Sequence, residues 1–175
     1  LKRYKSKNGE ISYRRTIGRE GEEMLGGYIS DLEAGDEFKP VTYVLTAFMA
    51  SEYAHSVEET CEWYHSPLSP EGRQIRPPTM IHVDKMRILE ENCLKERRVS
   101  GEIAPDARVH YEYYARQHSP AYVGETLTVS GKITDKYVKR GRTYINYYLE
   151  VRAGDGRLVT TYTDKTLLKY TPEGE

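Results

Sequence analysis

Residues 145–159, Ile145-Asn146-Tyr147-Tyr148-Leu149-Glu150-Val151-Arg152-Ala153-Gly154-Asp155-Gly156-Arg157-Leu158-Val159, decide how the chain is read. Ile145, Tyr147, Leu149 and Val151 alternate with Asn146, Tyr148, Glu150 and Arg152. A period of two sends the first set to one face of a strand and the second set to the other. Gly154-Asp155-Gly156 is a hairpin turn, since glycine adopts positive φ without a steric penalty, and the next strand is predicted from Leu158 to Tyr170. Working upstream, Leu127, Val129, Gly131 and Ile133 share a face of one run, and Val109, Tyr111, Tyr113 and Ala115 share a face of another. The second half is therefore predicted as an antiparallel meander of four strands.

Before the meander the period changes. Met49, Tyr53, Val57 and Cys61 recur every fourth residue, with Ala50 and Ala54 beside them, as one apolar stripe of a helix. Thr46 can cap its start and Pro67 stops it, which predicts a helix of about five turns. Residues 66–76 form a Pro/Gly-punctuated loop. Pro77-Pro78-Thr79 opens a second helical segment that runs to Leu94, and a hinge is expected at Ser100-Gly101. Phe38 to Val44, with β-branched and aromatic residues after a Gly35-Asp36 turn, reads as the first strand. Residues 1–26 are polar and aperiodic and are expected to form an arm, leaving 27–175 as a single domain. The class is α+β: an antiparallel sheet of about five strands wrapped around one long central helix. Such a sheet leaves an edge open, so a dimer is expected.

Composition narrows the function classes. The chain has 175 residues, 26 Lys+Arg against 27 Asp+Glu and a net charge of -1, so it lacks the basic field of most nucleic-acid-binding domains. No run approaches the roughly 20 apolar residues of a membrane span. Cys61 and Cys93 have no CxxC partner, which argues against a zinc site or a disulfide framework and fits a reducing cytoplasm. Sixteen of the 19 aromatic residues are Tyr. A tyrosine buries its ring while its hydroxyl seeks a polar partner, so the core is expected to border a polar cleft or a subunit interface.

The order of features resembles a hotdog fold of the MaoC-like dehydratase class, in particular its N-terminal-type domain. The residues that carry the resemblance are Gly35-Asp36, Ser51-Glu52-Tyr53-Ala54-His55-Ser56-Val57, Arg76-Pro77-Pro78-Thr79-Met80, His118-Ser119-Pro120, Val123-Gly124-Glu125-Thr126-Leu127, and the tail elements Lys139-Arg140-Gly141-Arg142 and Asp155-Gly156-Arg157-Leu158-Val159. The resemblance implies acyl thioesters of coenzyme A or acyl carrier protein as substrates, bound by a homodimer or by a heterodimer with a second hotdog subunit. It also implies reversible hydration of an enoyl thioester to a 3-hydroxyacyl thioester, with no metal or other cofactor. In that chemistry a carboxylate and an imidazole poise one water, and backbone N–H groups at a helix start hold the thioester oxygen as it gains charge.

One motif departs from the class. Active members carry Asp-x-Asn-Pro-x-His after the first helix, and this chain has Glu59, Cys61, Glu62 and Tyr64 in the Asp, Asn, Pro and His slots, with His65 one position further on. The resemblance thus implies Glu59 as base and His65 or Tyr64 as proton donor, with the Thr79 and Met80 amides at the thioester oxygen; His55 on the first helix is a further candidate substrate contact, and Arg73 and Arg76, which bracket the loop before Pro77, read equally as contacts to an acidic substrate or CoA phosphate and as surface arginines. A slip of one residue would instead place Thr60 and His65 in the acid and imidazole slots. Continued as a helix, Glu59 and His65 would point about 240° apart, so only an unwound end could bring them together. Two alternatives to the hydratase stay open: a catalytically silent subunit paired with an active one, and an acyl-CoA thioesterase. The residues also have plain structural readings: His55 as a half-buried core histidine, His65 as a helix-end cation, Cys61 as a buried thiol, and the Lys136, Lys139, Arg140 and Arg142 cluster as a solvated hairpin tip.

Overall fold

A computed structural model describes the side chains of residues 28–93 and 109–168; beyond them it describes only backbone, at 2–5, 11–14, 96–99, 102–105, 107–108 and 169. The elements in chain order are β1 (Lys2–Lys5), β2 (Ile11–Arg14), β3 (Val41–Val44), α1 (Ala47–Ser56), α2 (Ile81–Asn92), β4 (Glu96–Val99), β5 (Glu102–Pro105), β6 (Ala107–Gln117), β7 (Thr126–Lys139), β8 (Arg142–Ala153) and β9 (Leu158–Lys169). The main sheet has five strands in the order β3-β7-β8-β9-β6, all neighbours antiparallel. β1 pairs with β2, and β4 with β5, as separate two-stranded ribbons. Of the expected 1–26 arm, only the β1 and β2 backbone is described. The expected hinge at Ser100-Gly101 and the ends at Leu94 and Tyr170 lie outside the described residues.

The hotdog architecture is the one expected, but its central helix is α2. Ile81, Asp84, Ile88, Leu89 and Asn92 form its buried stripe, whereas α1 buries only Ala50 and Ala54. The stripe packs on the inward residues of the sheet: Leu127, Val129 and Ile133 of β7, Ile145, Tyr147, Leu149 and Val151 of β8, and Val159, Tyr162 and Leu168 of β9. The alternation of β8 survives intact, with residues 145, 147, 149, 151 and 153 buried and the intervening ones half-buried or exposed.

The five-turn helix expected from Thr46 onward stops after ten residues, at Ser56. Thr46 caps it as expected, its hydroxyl accepting from the Met49 N–H at 3.2 Å. At the other end Glu58 takes φ 57, and its N–H and that of Glu59 turn back to the carbonyls of His55 and Ala54 at 3.1 and 2.9 Å. This is the Schellman closure, in which one left-handed residue reverses the chain and satisfies the last carbonyls. A left-handed residue satisfied in this way ends the helix nine positions before Pro67 can act.

The predicted face of β6 is also corrected. The ladder with β9 runs His110↔Thr166 and then Glu112↔Lys165, leaving Tyr111 as an unpaired bulge residue. A bulge puts two consecutive residues on one side and resets the alternation. Tyr111 leaves the expected Val109-Tyr111-Tyr113-Ala115 face and meets the Tyr144 ring at 5.7 Å, while His110 and Tyr113 approach each other at 5.1 Å. The remaining turns follow the sequence. Arg140 and Gly141, at φ 52 and 70, make the two-residue turn between β7 and β8, and Gly156, at φ 85, lies in the turn before β9.

Candidate active site

The unwound chain after α1 gathers most of the residues singled out in the motif. His65 places Nε2 2.9 Å from the Glu59 carbonyl, and its ring centroid lies 4.7 Å from that of His55. The separation that a continuous helix would impose on Glu59 and His65 is thereby removed, though it is the backbone of Glu59 that the imidazole meets. The Glu59 carboxylate accepts the Cys61 N–H at 2.9 Å and is exposed. Tyr64 turns a half-buried ring into this loop. Burial, together with Cys61 and Glu59, pushes its phenol above the usual range, so it stays protonated and able to donate. Its carbonyl accepts from Gln74 Nε2 at 2.7 Å, and the same amide reaches Ser51 Oγ at 3.2 Å. The loop is thus tied to α1 and to the segment before α2. That segment is in turn pinned to the sheet side by Arg76 N–H to Ala121 O and Val123 N–H to Gln74 O, both at 2.9 Å.

The two arginines expected at a substrate differ in surroundings. Arg73 is half-exposed, with its guanidinium carbon 3.9 Å from the Tyr122 ring centroid and Nη2 3.4 Å from Glu125, a carboxylate also held by Arg157 at 2.9 Å. Arg76 points inward and pairs with Asp84 on the buried stripe of α2, with side-chain exposures of 2% and 1%. Its guanidinium therefore does not reach a solvent-borne phosphate, and the loop-arginine expectation gives way to a core ion pair. Thr79 is exposed and Met80 buried in the single 3₁₀ turn that leads into α2; the Met80 N–H is used within that turn, donating to Pro77 O at 3.1 Å.

Two polar groups on α2 were not foreseen. On one flank, Asp84 accepts the Tyr43 hydroxyl at 2.7 Å as well as Arg76, and Arg87 lies 3.8 Å over the Tyr43 ring. Burial, reinforced by Asp84, pushes the Tyr43 phenol far above its ordinary range, so it remains a donor. On the other flank, His82 and Lys85 face β6 and β9. There Asp164, with a fully buried side chain, accepts the Tyr162 hydroxyl at 2.5 Å and the Thr166 hydroxyl at 2.7 Å, and lies 2.9 Å from His110 Nδ1 and 3.5 Å from Lys85 Nζ. His82 lies over this group, its ring 4.9 Å from Tyr113 and 5.9 Å from His110. Burial, then the Lys85 charge and His110, lower its pKa, which favours a neutral ring. Both groups left a trace in the sequence. Asp84 occupies a stripe position between Ile81 and Ile88, and Thr160, Tyr162, Asp164 and Thr166 recur with period two as polar residues on the buried face of β9, the face that also carries Leu168 into the core. Among the described residues no cluster has the composition of a metal site, and no described helix is long and apolar enough to cross a membrane.

Comparison with known proteins agrees with this architecture. Residues 33–162 match the family described as FAS1-like, dehydratase domain region. A comparison with curated proteins finds no match. Among solved structures, the MaoC-like dehydratase from Rhodospirillum rubrum is similar, with a TM-score of 0.63 at 16% identity over 84% of this chain and 99% of that one. The C-terminally truncated HadBC (3R-hydroxyacyl-ACP dehydratase) complex from Mycobacterium tuberculosis gives 0.63 at 15% identity, over 77% and 96%. The (R)-hydratase from A. caviae involved in PHA biosynthesis gives 0.59 at 14%, over 77% and 96%. At these identities the likeness shows the hotdog fold, and the family follows from the match that spans most of the chain: the protein belongs to the family described as FAS1-like, dehydratase domain region.

Proposed function

We propose that the chain is a hydratase/dehydratase unit that adds water reversibly to the double bond of an enoyl thioester, carried on coenzyme A or an acyl carrier protein, and that it works paired with a second hotdog subunit. The observation that carries the proposal is the family match over residues 33–162, which includes the loop where His55, Glu59, Tyr64 and His65 are gathered. Pairing is supported by β6. Among the described residues this eleven-residue strand has a neighbour on one side only, and it exposes Val109, Tyr111, Tyr113 and Tyr114, each more than half accessible. An open edge of that length is a template for a second chain, and the solved HadBC structure is itself a complex.

The test is incubation of the purified protein with a panel of short enoyl-CoAs, following the conjugated enoyl absorbance and the product mass, beside native mass spectrometry for the assembly. Loss of absorbance with gain of one water supports the reading. Release of free thiol with the absorbance retained would replace it with a thioesterase. Glu59→Gln and His65→Asn then measure what the loop contributes to proton transfer. A second reading is favoured by one specific observation: the Glu59 carboxylate is spent on Cys61 N–H and His65 on the Glu59 carbonyl. On that reading the chain is the silent member of a pair, inert alone and active only when mixed with a subunit that carries the intact motif.

A further inference from the structure

One side chain in the candidate site joins the two pieces of chain that carry its imidazoles. Gln74, only 8% exposed, lies in the segment that leads toward α2. Its Nε2 donates to the Tyr64 carbonyl at 2.7 Å and to Ser51 Oγ at 3.2 Å. A carbonyl only accepts, so Tyr64 fixes which end of the amide faces the loop. Both contacts lie next to a histidine. Tyr64 precedes His65 by one peptide bond, and Ser51 lies four residues before His55 on α1, one turn away on the same face. The two rings so brought together have centroids 4.7 Å apart and are tilted by 37°. His65 is held a second time through Nε2, 2.9 Å from the Glu59 carbonyl, which places hydrogen on Nε2 and leaves Nδ1 as the acceptor of the neutral ring. The Gln74 backbone is spent in another direction, its carbonyl accepting the Val123 N–H at 2.9 Å. Simple attachment of the loop is already secured next door, where the Ile75 N–H donates to the Trp63 carbonyl at 2.9 Å. A side chain that only filled the space would need no amide, since burying one costs free energy unless its bonds are made.

We propose that Gln74 is a positioning residue of the hydration: its amide sets the place of His65 against His55 and so holds the imidazole where the reacting water can meet it. This rests on the hydratase reading with His65 as a proton-transfer group. The reaction itself is unchanged. Water adds across the enoyl double bond, its oxygen to the β-carbon and a proton to the α-carbon, and the imidazole ends the cycle in the form in which it began. Gln74 touches neither the water nor the thioester. It acts through the Tyr64–His65 peptide, and loss of its two hydrogen bonds frees that peptide while the backbone ties of Ile75 and Val123 keep the segment in place. Misplacement of a reacting group by about 1 Å can cost about 100-fold in rate, so a tie of this kind has leverage on kcat that its own bond strength does not suggest.

Gln74→Met keeps the length of the side chain and removes the donor; Gln74→Glu keeps the shape and, when ionised, sets an acceptor against the Tyr64 carbonyl. Circular dichroism at the assay temperature checks that both are folded. Gln74→Met should lower kcat on the best enoyl-CoA by about 10- to 100-fold, with KM within about threefold of the parent. Gln74→Glu should match it at high pH and recover as the pH falls, because burial raises the pKa of the new carboxyl and its protonated form donates as the amide does. His55 of α1 and Glu59, Tyr64 and His65 of the loop titrate in all three proteins, so the readout is the ratio of each variant to the parent. That ratio should rise with acid for Gln74→Glu and stay flat for Gln74→Met. In long-range ¹H–¹⁵N spectra the parent's His65 should show hydrogen on Nε2, and Gln74→Met should move the His65 and His55 signals while leaving His118, which meets Thr161, in place. An active parent whose two variants keep more than about a third of its kcat, or lose it with the His65 signal unmoved, overturns the assignment and leaves the hydratase reading standing. A parent that is inert on every enoyl thioester, alone and with a partner subunit, overturns that reading and the role of Gln74 with it.

Discussion

Asp84 and Arg76 show what a single charged pair does when it is placed under a helix stripe. Both side chains are almost fully buried, and among the described residues Arg76 Nε and Nη1 have no hydrogen-bond partner. Taking two charges out of water costs nearly as much as their attraction returns, so the pair adds little net stability; removing one partner, however, strands the other. Asp84→Ala is therefore expected to destabilise the protein by about 3–5 kcal/mol, whereas the double change Arg76→Met with Asp84→Leu should recover the part due to the stranded guanidinium and keep the part due to the Tyr43 hydroxyl, which loses its acceptor in both. Urea denaturation of the parent and the two variants checks this. Equal losses in the single and double variants would show that the pair works through something other than its charge. At this scale the sequence was half legible. The Glu59 and His65 positions could be read from the motif, and the unwound end that their approach required is present. The partners of Arg76 and His110 could not be read in the same way, because Asp84 and Asp164 meet them across turns and strands that no local pattern encodes.

Elements were legible wherever periodicity met no interruption. β8 and the turn after it follow the alternation of residues 145–153 and Gly154-Asp155-Gly156 because every second side chain has core to face. Two elements departed at one residue each, α1 at left-handed Glu58 and β6 at bulged Tyr111; β6 also leaves the expected four-strand meander, pairing with β9 at the far rim and not with β7, and the β4–β5 ribbon was not foreseen. A hydrophobic pattern counts side chains and cannot register a backbone reversal or an unpaired residue, both of which are set by long-range satisfaction of N–H and C=O groups. Glu58 itself is a poor choice for its conformation, since a side chain at φ 57 meets its own backbone. Glu58→Gly should therefore raise stability by about 0.5–1 kcal/mol, as relief of the left-handed strain outweighs the added freedom of the unfolded chain. Calorimetry would show an upward shift in Tm; a fall would mean that the Glu58 side chain makes a contact worth more than the strain.

At the scale of the whole molecule, the sheet is a continuous ladder from β3 to β6 wrapped on α2, and its two rims differ. β3 is short and occupied at its start by the Asn92 side chain, whose amide bonds both the N–H and the carbonyl of Lys39 at 2.7 and 3.0 Å. β6 is long, open and aromatic. Its bulge also makes the domain tolerant of a change in length at one place. Shortening a strand by one residue ordinarily exchanges its inner and outer faces from that point on. Removing Tyr111 would instead close the ladder, because His110 and Glu112 already pair with the consecutive residues Thr166 and Lys165. Every other β6 side chain would keep its face. Deletion of Tyr111 is expected to leave a folded protein with a Tm within a few degrees of the parent, and deletion of Tyr114 one that unfolds far earlier; equal damage from both would show that the extra residue is a structural requirement. Relatives that lack one residue in this strand and relatives that keep it could then share a single architecture, with the lineage free to gain or lose a codon there.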